Sequence, residues 1–332
     1  MSTPREKQVK TCLISGGAGF IGSHLCEDLL KKRYRVICID NFLTGSKDNV
    51  EHLMENDNFM LINADVIKKL PEVVKEEEID YIFHLASPAS PNKKSPISYM
   101  NFPLETMDVN SIGTRRLLKL ARKKKIKFLL ASTSEVYGDP KIHPQTEDYW
   151  GNVNPNGPRS CYDESKRFAE ALTMVYKRRF GVDVRIVRIF NTYGPRMDIR
   201  DGRAIVNFIV QALKNEPMTI YGKGKQTRSF CYVADLVSGL KKAMFTKESK
   251  GRVFNLGNPE EFTIAQLAEK IKRATKSKSK FSYEAMPTDD PRKRRPDISK
   301  ARKFLGFKPK VKFSDGLNKT IAYFEKKLAE VE

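Results

Sequence analysis

A short apolar strand, a glycine-rich turn and a helical pattern follow one another at the start of the chain. That order commits the region to an α/β unit. Thr11–Ser15 (TCLIS) is the strand, Gly16-Gly17-Ala18-Gly19-Phe20-Ile21-Gly22 spells G-x-x-G-x-x-G, and Ser23–Lys32 carries the helix. Glycines at such a turn let the backbone approach a pyrophosphate, whose charge then sits on the helix N-terminus. A glycine loop alone is weak evidence, because turns use glycine everywhere. Here the flanking strand and helix supply the required context, making Gly16, Gly19, Phe20, Ile21 and Gly22 candidate cofactor contacts.

The next strand, Tyr34–Ile39, ends at Asp40, eighteen residues beyond Gly22. An acid there accepts hydrogen bonds from an adenosine ribose and repels a 2′-phosphate, which predicts NAD rather than NADP. Asn41, Thr44 and Gly45 form a turn expected to pass the adenosine. Strand Phe59–Ile62 leads to Asp65, placed for adenine, and Val66; strand Tyr81–Leu85 leads to Ser87, with Leu85 and Ser87 beneath the cofactor. A helix over Met100–Lys124 and strands Ile126–Ala131 and Asp183–Phe190 continue the alternation. The expected fold class is α/β, a Rossmann-like doubly wound parallel sheet with right-handed crossovers and a smaller C-terminal α/β substrate-binding region. Residues 1–190, joined by 235–256, are expected to form the dinucleotide-binding domain. Residues 191–234 and 257–332 form the substrate region, with two amphipathic helices around TDDPRKRRPD.

The chemistry concentrates between Leu130 and Lys166, where Ser132, Thr133, Ser134 and Glu135 follow a strand and CYDESK opens a helix. Polar groups at the C-terminal end of a parallel strand stand where open α/β sheets bind ligands. Tyr162 and Lys166 share a helix face at i, i+4. A tyrosine of pKa about 10 needs roughly 4 kcal/mol to act as a base near pH 7. One ammonium at ~4–5 Å in an effective dielectric of about 20 supplies that much. A neighbouring Thr or Ser hydroxyl then holds the substrate oxygen during proton transfer. Tyr-x-x-x-Lys alone is more often an ordinary helix surface; the preceding glycine loop and Asp40 change those odds.

Composition excludes several classes. The chain has 332 residues, 40% hydrophobic and 30% charged, with no apolar run long enough for a membrane span. Its opening, MSTPREKQVK, has no signal-peptide h-region, so a cytoplasmic protein is expected. Five cysteines, odd in number and without paired spacing, read as free thiols, and four histidines show no metal-ligand spacing, so no metal is expected. The net charge of +21 is spread, with clusters at Arg122–Lys125, Lys177–Arg179, Lys272–Lys280 and Arg292–Arg295. No nucleic-acid motif accompanies them, so no nucleic-acid partner is expected.

GGAGFIG, Asp40, the Ser132–Glu135 cluster, Tyr162-x-x-x-Lys166 and Arg228 make the chain resemble an extended short-chain dehydrogenase/reductase of the NAD-dependent epimerase/dehydratase kind. DNFLTG, HLASPAS, ASTSEVYGDP, HPQTEDYWGNVNP, RSCYDESKR, RIFNTYGPRM, YGKGKQTRSF, NLGNPEE and DDPRKRRPD narrow that resemblance to the UDP-glucuronate decarboxylase (UDP-xylose synthase) family across about 10–324. The resemblance implies NAD, with Ala131, Tyr162, Lys166, Thr192 and Arg203 added to its contacts. It also implies UDP-glucuronate as substrate, with Glu135, Asn191, Arg228 and Arg294 binding it. Catalysis falls to Thr133, Ser134, Glu135, Tyr162, Lys166 and Arg294. The implied reaction oxidises C4, releases carbon dioxide and reduces C4 again. Alternatives are release of UDP-4-keto-pentose with NADH, a nucleotide-sugar 4-epimerase or a 4,6-dehydratase. Relatives of the last kind carry Thr-Asp-Glu where this chain has Thr133-Ser134-Glu135. Two departures stand out: Asp108, where many relatives have lysine, bears on contacts near the nicotinamide, and Ser165 replaces a glycine. The family usually dimerises through a four-helix bundle, and Leu117, Leu118, Ala121, Phe168, Leu172 and Val175 suit such a homodimer.

Overall fold

The computed structural model describes residues 9–330; residues 1–8 and 331–332, where the opening-segment and outermost domain expectations fall, lie outside it. The first part alternates strand and helix: β1 (Thr11–Ser15), α1 (Phe20–Lys31), β2 (Arg35–Asp40), β3 (Phe59–Asn63), α2 (Glu72–Glu76), β4 (Tyr81–His84), α3 (Pro103–Asp108), α4 (Thr114–Lys124), β5 (Lys127–Thr133), α5 (Ser160–Phe180) and β6 (Val184–Ile189). Shorter strands follow: β7 (Thr192–Tyr193), α6 (Ala204–Leu213), β8 (Met218–Tyr221), β9 (Thr227–Ser229), β10 (Cys231–Tyr232), α7 (Val233–Phe245) and β11 (Val253–Leu256). The last part holds β12 (Glu261–Thr263), α8 (Ile264–Ala274), β13 (Phe281–Glu284), β14 (Lys293–Arg294), α9 (Ser299–Leu305) and α10 (Phe313–Ala329).

Seven strands form one parallel sheet in the order β11-β6-β5-β4-β1-β2-β3. β1 is buried along its whole length, which is why it reads as an unbroken apolar run. Its side chains alternate between two cores. Cys12 and Ile14 pack with Leu25 and Leu29 of α1 and Leu236 and Leu240 of α7. Leu13 faces the other core, with Leu117 and Leu118 of α4 and Ala169 of α5. From β1 the chain builds outward through β2 and β3, then returns to place β4 on the opposite side. The crevice above the β1–β4 boundary is the topological switch point where such sheets bind ligands.

Two expectations change. The helix expected over Met100–Lys124 is interrupted by a π turn, Val109–Gly113, between α3 and α4. Among the described residues the C-terminal part has three helices rather than two, because Gly306 at φ 57 ends the short α9 in a left-handed cap and Pro309 follows, before α10. The small sheet β12-β9-β14 matters most for the site: β14 runs parallel to β9 and sets Arg294 opposite Arg228.

Candidate active site

A cleft of about 1260 Å³ opens at the carboxyl ends of the sheet strands, between the sheet and the C-terminal part. Every residue singled out as a site candidate lines it. From the glycine turn and β2 come Gly16, Gly19, Phe20, Ile21, Gly22, Asp40, Asn41, Thr44 and Gly45. Asp65, Val66, Leu85, Ser87 and Ala131 form its floor, while Thr133, Ser134, Glu135, Tyr162 and Lys166 stand at the centre. Asn191, Thr192, Arg203, Arg228 and Arg294 close the far wall. Asp108 does not itself line the cleft. It is the last residue of α3, next in the chain to Val109, which does line it.

The residues around β1 and β2 fit a dinucleotide. A Cβ on Gly22 would lie 2.0 Å from the Gly16 carbonyl oxygen, and one on Gly16, at φ 76, would lie 2.7 Å from the Ala86 backbone. Larger side chains would therefore fill the cradle. α1 begins at Gly19 with no side-chain cap and no acid in its first turn, which leaves its first amides for a phosphate. The Asp40 carboxylate accepts 2.9 Å hydrogen bonds from the amides of Ala18 and Phe42. Burial raises its pKa, and those amides work in the opposite direction. Asn41 donates to Asp65 at 3.0 Å, tying the two adenosine-side turns together.

Tyr162 is buried and stacks on Tyr99, ring centroids 4.7 Å apart. Burial pushes its hydroxyl up to about 12, with Thr133 beside it acting to lower it. Lys166 Nζ lies 5.8 Å from the Tyr162 ring and donates to the Ala131 carbonyl at 2.9 Å. Burial brings Lys166 down to about 7. The expectation that one ammonium brings the tyrosine near neutrality is thus not met by these two side chains. Desolvation penalises the phenolate and the ammonium alike.

Glu135 is held by two guanidinium groups. Arg294 donates to both its oxygens, the second at 2.9 Å, and Arg159 donates at 2.6 Å. The two guanidinium groups hold its carboxyl at about 2 despite burial. Arg159 also pairs with Asp290 at 3.2 Å, and Arg228 pairs with the same acid at 2.8 Å. Five charged side chains thus form one cluster beside Tyr162, its three arginines buried and its two acids half-buried. Sequence reasoning missed Arg159 and Asp290. Their signals were position: Arg159 precedes Tyr162 by three residues, about one helical turn, and Asp290 sits four before Arg294.

Asn110 was also missed. It is fully buried on the π turn and donates to Ser87 at 3.1 Å and Ser165 at 3.0 Å. Ser165 therefore does more than fill a helix position. Arg203 pairs with Asp201 at 2.7 Å and donates to the Ala89 carbonyl at 2.7 Å, bracing the cleft wall. Among the described residues no cluster of His, Cys, Asp and Glu could hold a metal ion.

The chain is similar to known proteins along most of its length. The GDP-mannose 4,6 dehydratase family model matches residues 13–320. UDP-glucuronic acid decarboxylase 1 of Danio rerio is 52% identical over 97% of this chain and 74% of its own length. A UDP-glucose 4-epimerase from Thermotoga maritima superposes with a TM-score of 0.87 at 30% identity, over 96% of this chain and 99% of that one. A UDP-glucuronic acid 4-epimerase from Bacillus cereus, solved with UDP-glucuronic acid and NAD, gives 0.83 at 32% identity over the same shares. The chain belongs to the GDP-mannose 4,6 dehydratase family and, within it, to the UDP-glucuronic acid decarboxylases.

Proposed function

We propose that this protein converts UDP-glucuronate to UDP-xylose by NAD-dependent C4 oxidation, loss of carbon dioxide and C4 re-reduction. The observation that carries this reading is Glu135 held between Arg294 and Arg159 beside Tyr162. Such a cluster offers guanidinium groups to a substrate carboxylate. Ser134, small and buried, stands where 4,6-dehydratases carry an acid that would repel one.

NAD supplies the hydride acceptor at C4 and, retained through the cycle, the donor that reduces C4 again. Gly16, Gly19 and Gly22 cradle its pyrophosphate, Asp40 takes the adenosine ribose, and Asp65 borders the adenine. Tyr162 removes the C4 hydroxyl proton while Thr133 holds the oxygen. With C4 a ketone, the substrate is a β-keto acid. The C5–C6 bonding electrons delocalise into the ketone as an enolate as carbon dioxide leaves. Thr133 and Tyr162 stabilise that oxyanion. Glu135 and Arg294 orient the acid and manage the proton returned to C5. Arg228 and Asn191 hold the diphosphate.

In this reading 1–190 with 235–256 binds NAD, while 191–234 and 257–332 bind the UDP-sugar. The five free thiols suit a reducing, cytoplasmic setting. Among the described residues no helix is long and apolar enough to cross a membrane.

Product analysis by NMR and mass spectrometry from UDP-glucuronate, without added NADH, tests the reading. UDP-xylose with no build-up of NADH is expected, and Arg294→Ala should lose carbon dioxide release. UDP-4-keto-pentose with stoichiometric NADH would shorten the reaction to its first half. No carbon dioxide from the wild type would return the site to an epimerase or a dehydratase.

A further inference from the structure

Behind the catalytic strand lies a second charged pair that the mechanism above leaves unused. Glu170 follows Lys166 by four residues on α5, so Tyr162, Lys166 and Glu170 stand on one helical face. Its carboxylate accepts a 2.6 Å hydrogen bond from the Ser132 hydroxyl. Arg188 on β6 clamps it from the other side, with Nε 2.9 Å from one oxygen and Nη2 2.8 Å from the other. Arg188 is fixed in turn by the Tyr137 hydroxyl at 2.9 Å and the Glu147 carbonyl at 3.0 Å. Both members of the pair are only 12% exposed. A bidentate pair of this kind fixes the geometry of both side chains.

We propose that Glu170 is a positioning residue for proton transfer at Tyr162: its clamped carboxylate is the counter-charge of Lys166 and the anchor of Ser132, the neighbour of Thr133. The ionisable groups around Lys166 are Tyr162 and Glu170 on α5 and His84 on β4, with Arg188 on β6 paired to Glu170. His84, held between Ser15 and Thr114, is brought down to about 3 by burial and stays neutral. Glu170 is the group whose charge favours the ammonium of Lys166 against its burial. Without that charge a lysine 3% exposed and bonded to a single carbonyl has little reason to stay protonated. The same carboxylate locks the β5 end, because Ser132 has its hydroxyl committed to Glu170 and turns Thr133 toward the cleft.

The inference rests on Tyr162 and Lys166 being the proton-transfer pair, so its test is read first without turnover. Lys166 in the NAD-loaded full chain is followed by NMR of 13Cε-labelled lysine, assigned with Lys166→Met. Glu170→Gln removes the charge and keeps an acceptor for Ser132. Its Lys166 titration midpoint should fall by about one pH unit. Ser132→Ala, which keeps the carboxylate, should leave that midpoint in place. If Glu170→Gln does not fold, Glu170→Gln combined with Arg188→Met spares the unpaired guanidinium. The same fall is expected there, because Glu170 is the member of the pair that shares the α5 face with Lys166. In turnover, the alkaline limb of the Glu170→Gln pH profile should move down with the midpoint, while kcat drops about tenfold and KM changes little. An unmoved midpoint overturns the inference whatever the substrate proves to be. A moved midpoint in a chain that does not turn over UDP-glucuronate would instead overturn the proposed reaction.

Discussion

Glu135 carries a full charge in a place where a carboxylate alone would be protonated. Arg159 and Arg294 hold it at about 2, whereas an unfolded chain would have it near 4.3. Because the folded value is the lower one, the ion pairs contribute their full stability above the unfolded value and lose it as pH falls toward about 2. Glu135→Gln should therefore be destabilised at neutral pH by about 3–5 kcal/mol, since it leaves two buried guanidinium groups facing an amide. The gap in melting temperature from wild type should narrow steadily between pH 5 and pH 2.5. A gap that stays constant over that range would mean the carboxylate is not the group the arginines stabilise. Decarboxylation should fail in the same variant at every pH, because the lost charge is the one that orders Arg294.

The β1–α1 turn works only because its glycines interlock. A methyl group on Gly22 would overlap the Gly16 carbonyl oxygen at 2.0 Å and meet Gly17 Cα at 2.8 Å, both of them backbone atoms, so nothing nearby can swing aside. Gly22→Ala should come through purification without bound NAD and melt several degrees lower. Wild-type NAD content in that variant, read by absorbance after acid release, would refute the cradle. This element was legible in the sequence because a buried parallel strand reads as a bounded apolar run and the glycine spacing is local. The π turn was not, since apolar spacing is maintained across it and only the burial of Asn110 marks the extra residue. Arg159 and Asp290 lie 131 residues apart in the chain, and no local pattern announces such a pairing. The run Arg292–Arg295 shows the limit most plainly. Arg292 and Lys293 are exposed while Arg294 is buried, a division imposed when β14 pairs with β9. The positions from the glycine turn to Lys166 were readable because strand order alone brings them to one edge.

At the scale of the molecule the question is what covers α3 and α5, which pack side by side on one face of the sheet. Of the residues expected to suit a dimer, Leu117, Leu118 and Ala121 are buried inside the subunit against the sheet. Phe168 and Val175, one helical stripe on α5, are exposed instead, and Leu104, Met107 and Ile112 extend the apolar surface along α3 and the π turn. Leu104 is 71% exposed and Phe168 52%, far more than such residues have once a surface is paired. We propose that a second copy of the chain covers this face by a two-fold axis, setting two helices from each subunit into a four-helix bundle. The helix bearing Tyr162 and Lys166 would then be braced from behind, so that assembly and proton transfer share one element. Sedimentation equilibrium should give twice the 38.0 kDa chain mass for the wild type. Leu104→Asp with Phe168→Asp should give a single chain, folded by circular dichroism and less active, although neither position lines the cleft. A monomeric wild type at micromolar concentration would remove the bundle and leave α5 supported by its own subunit alone.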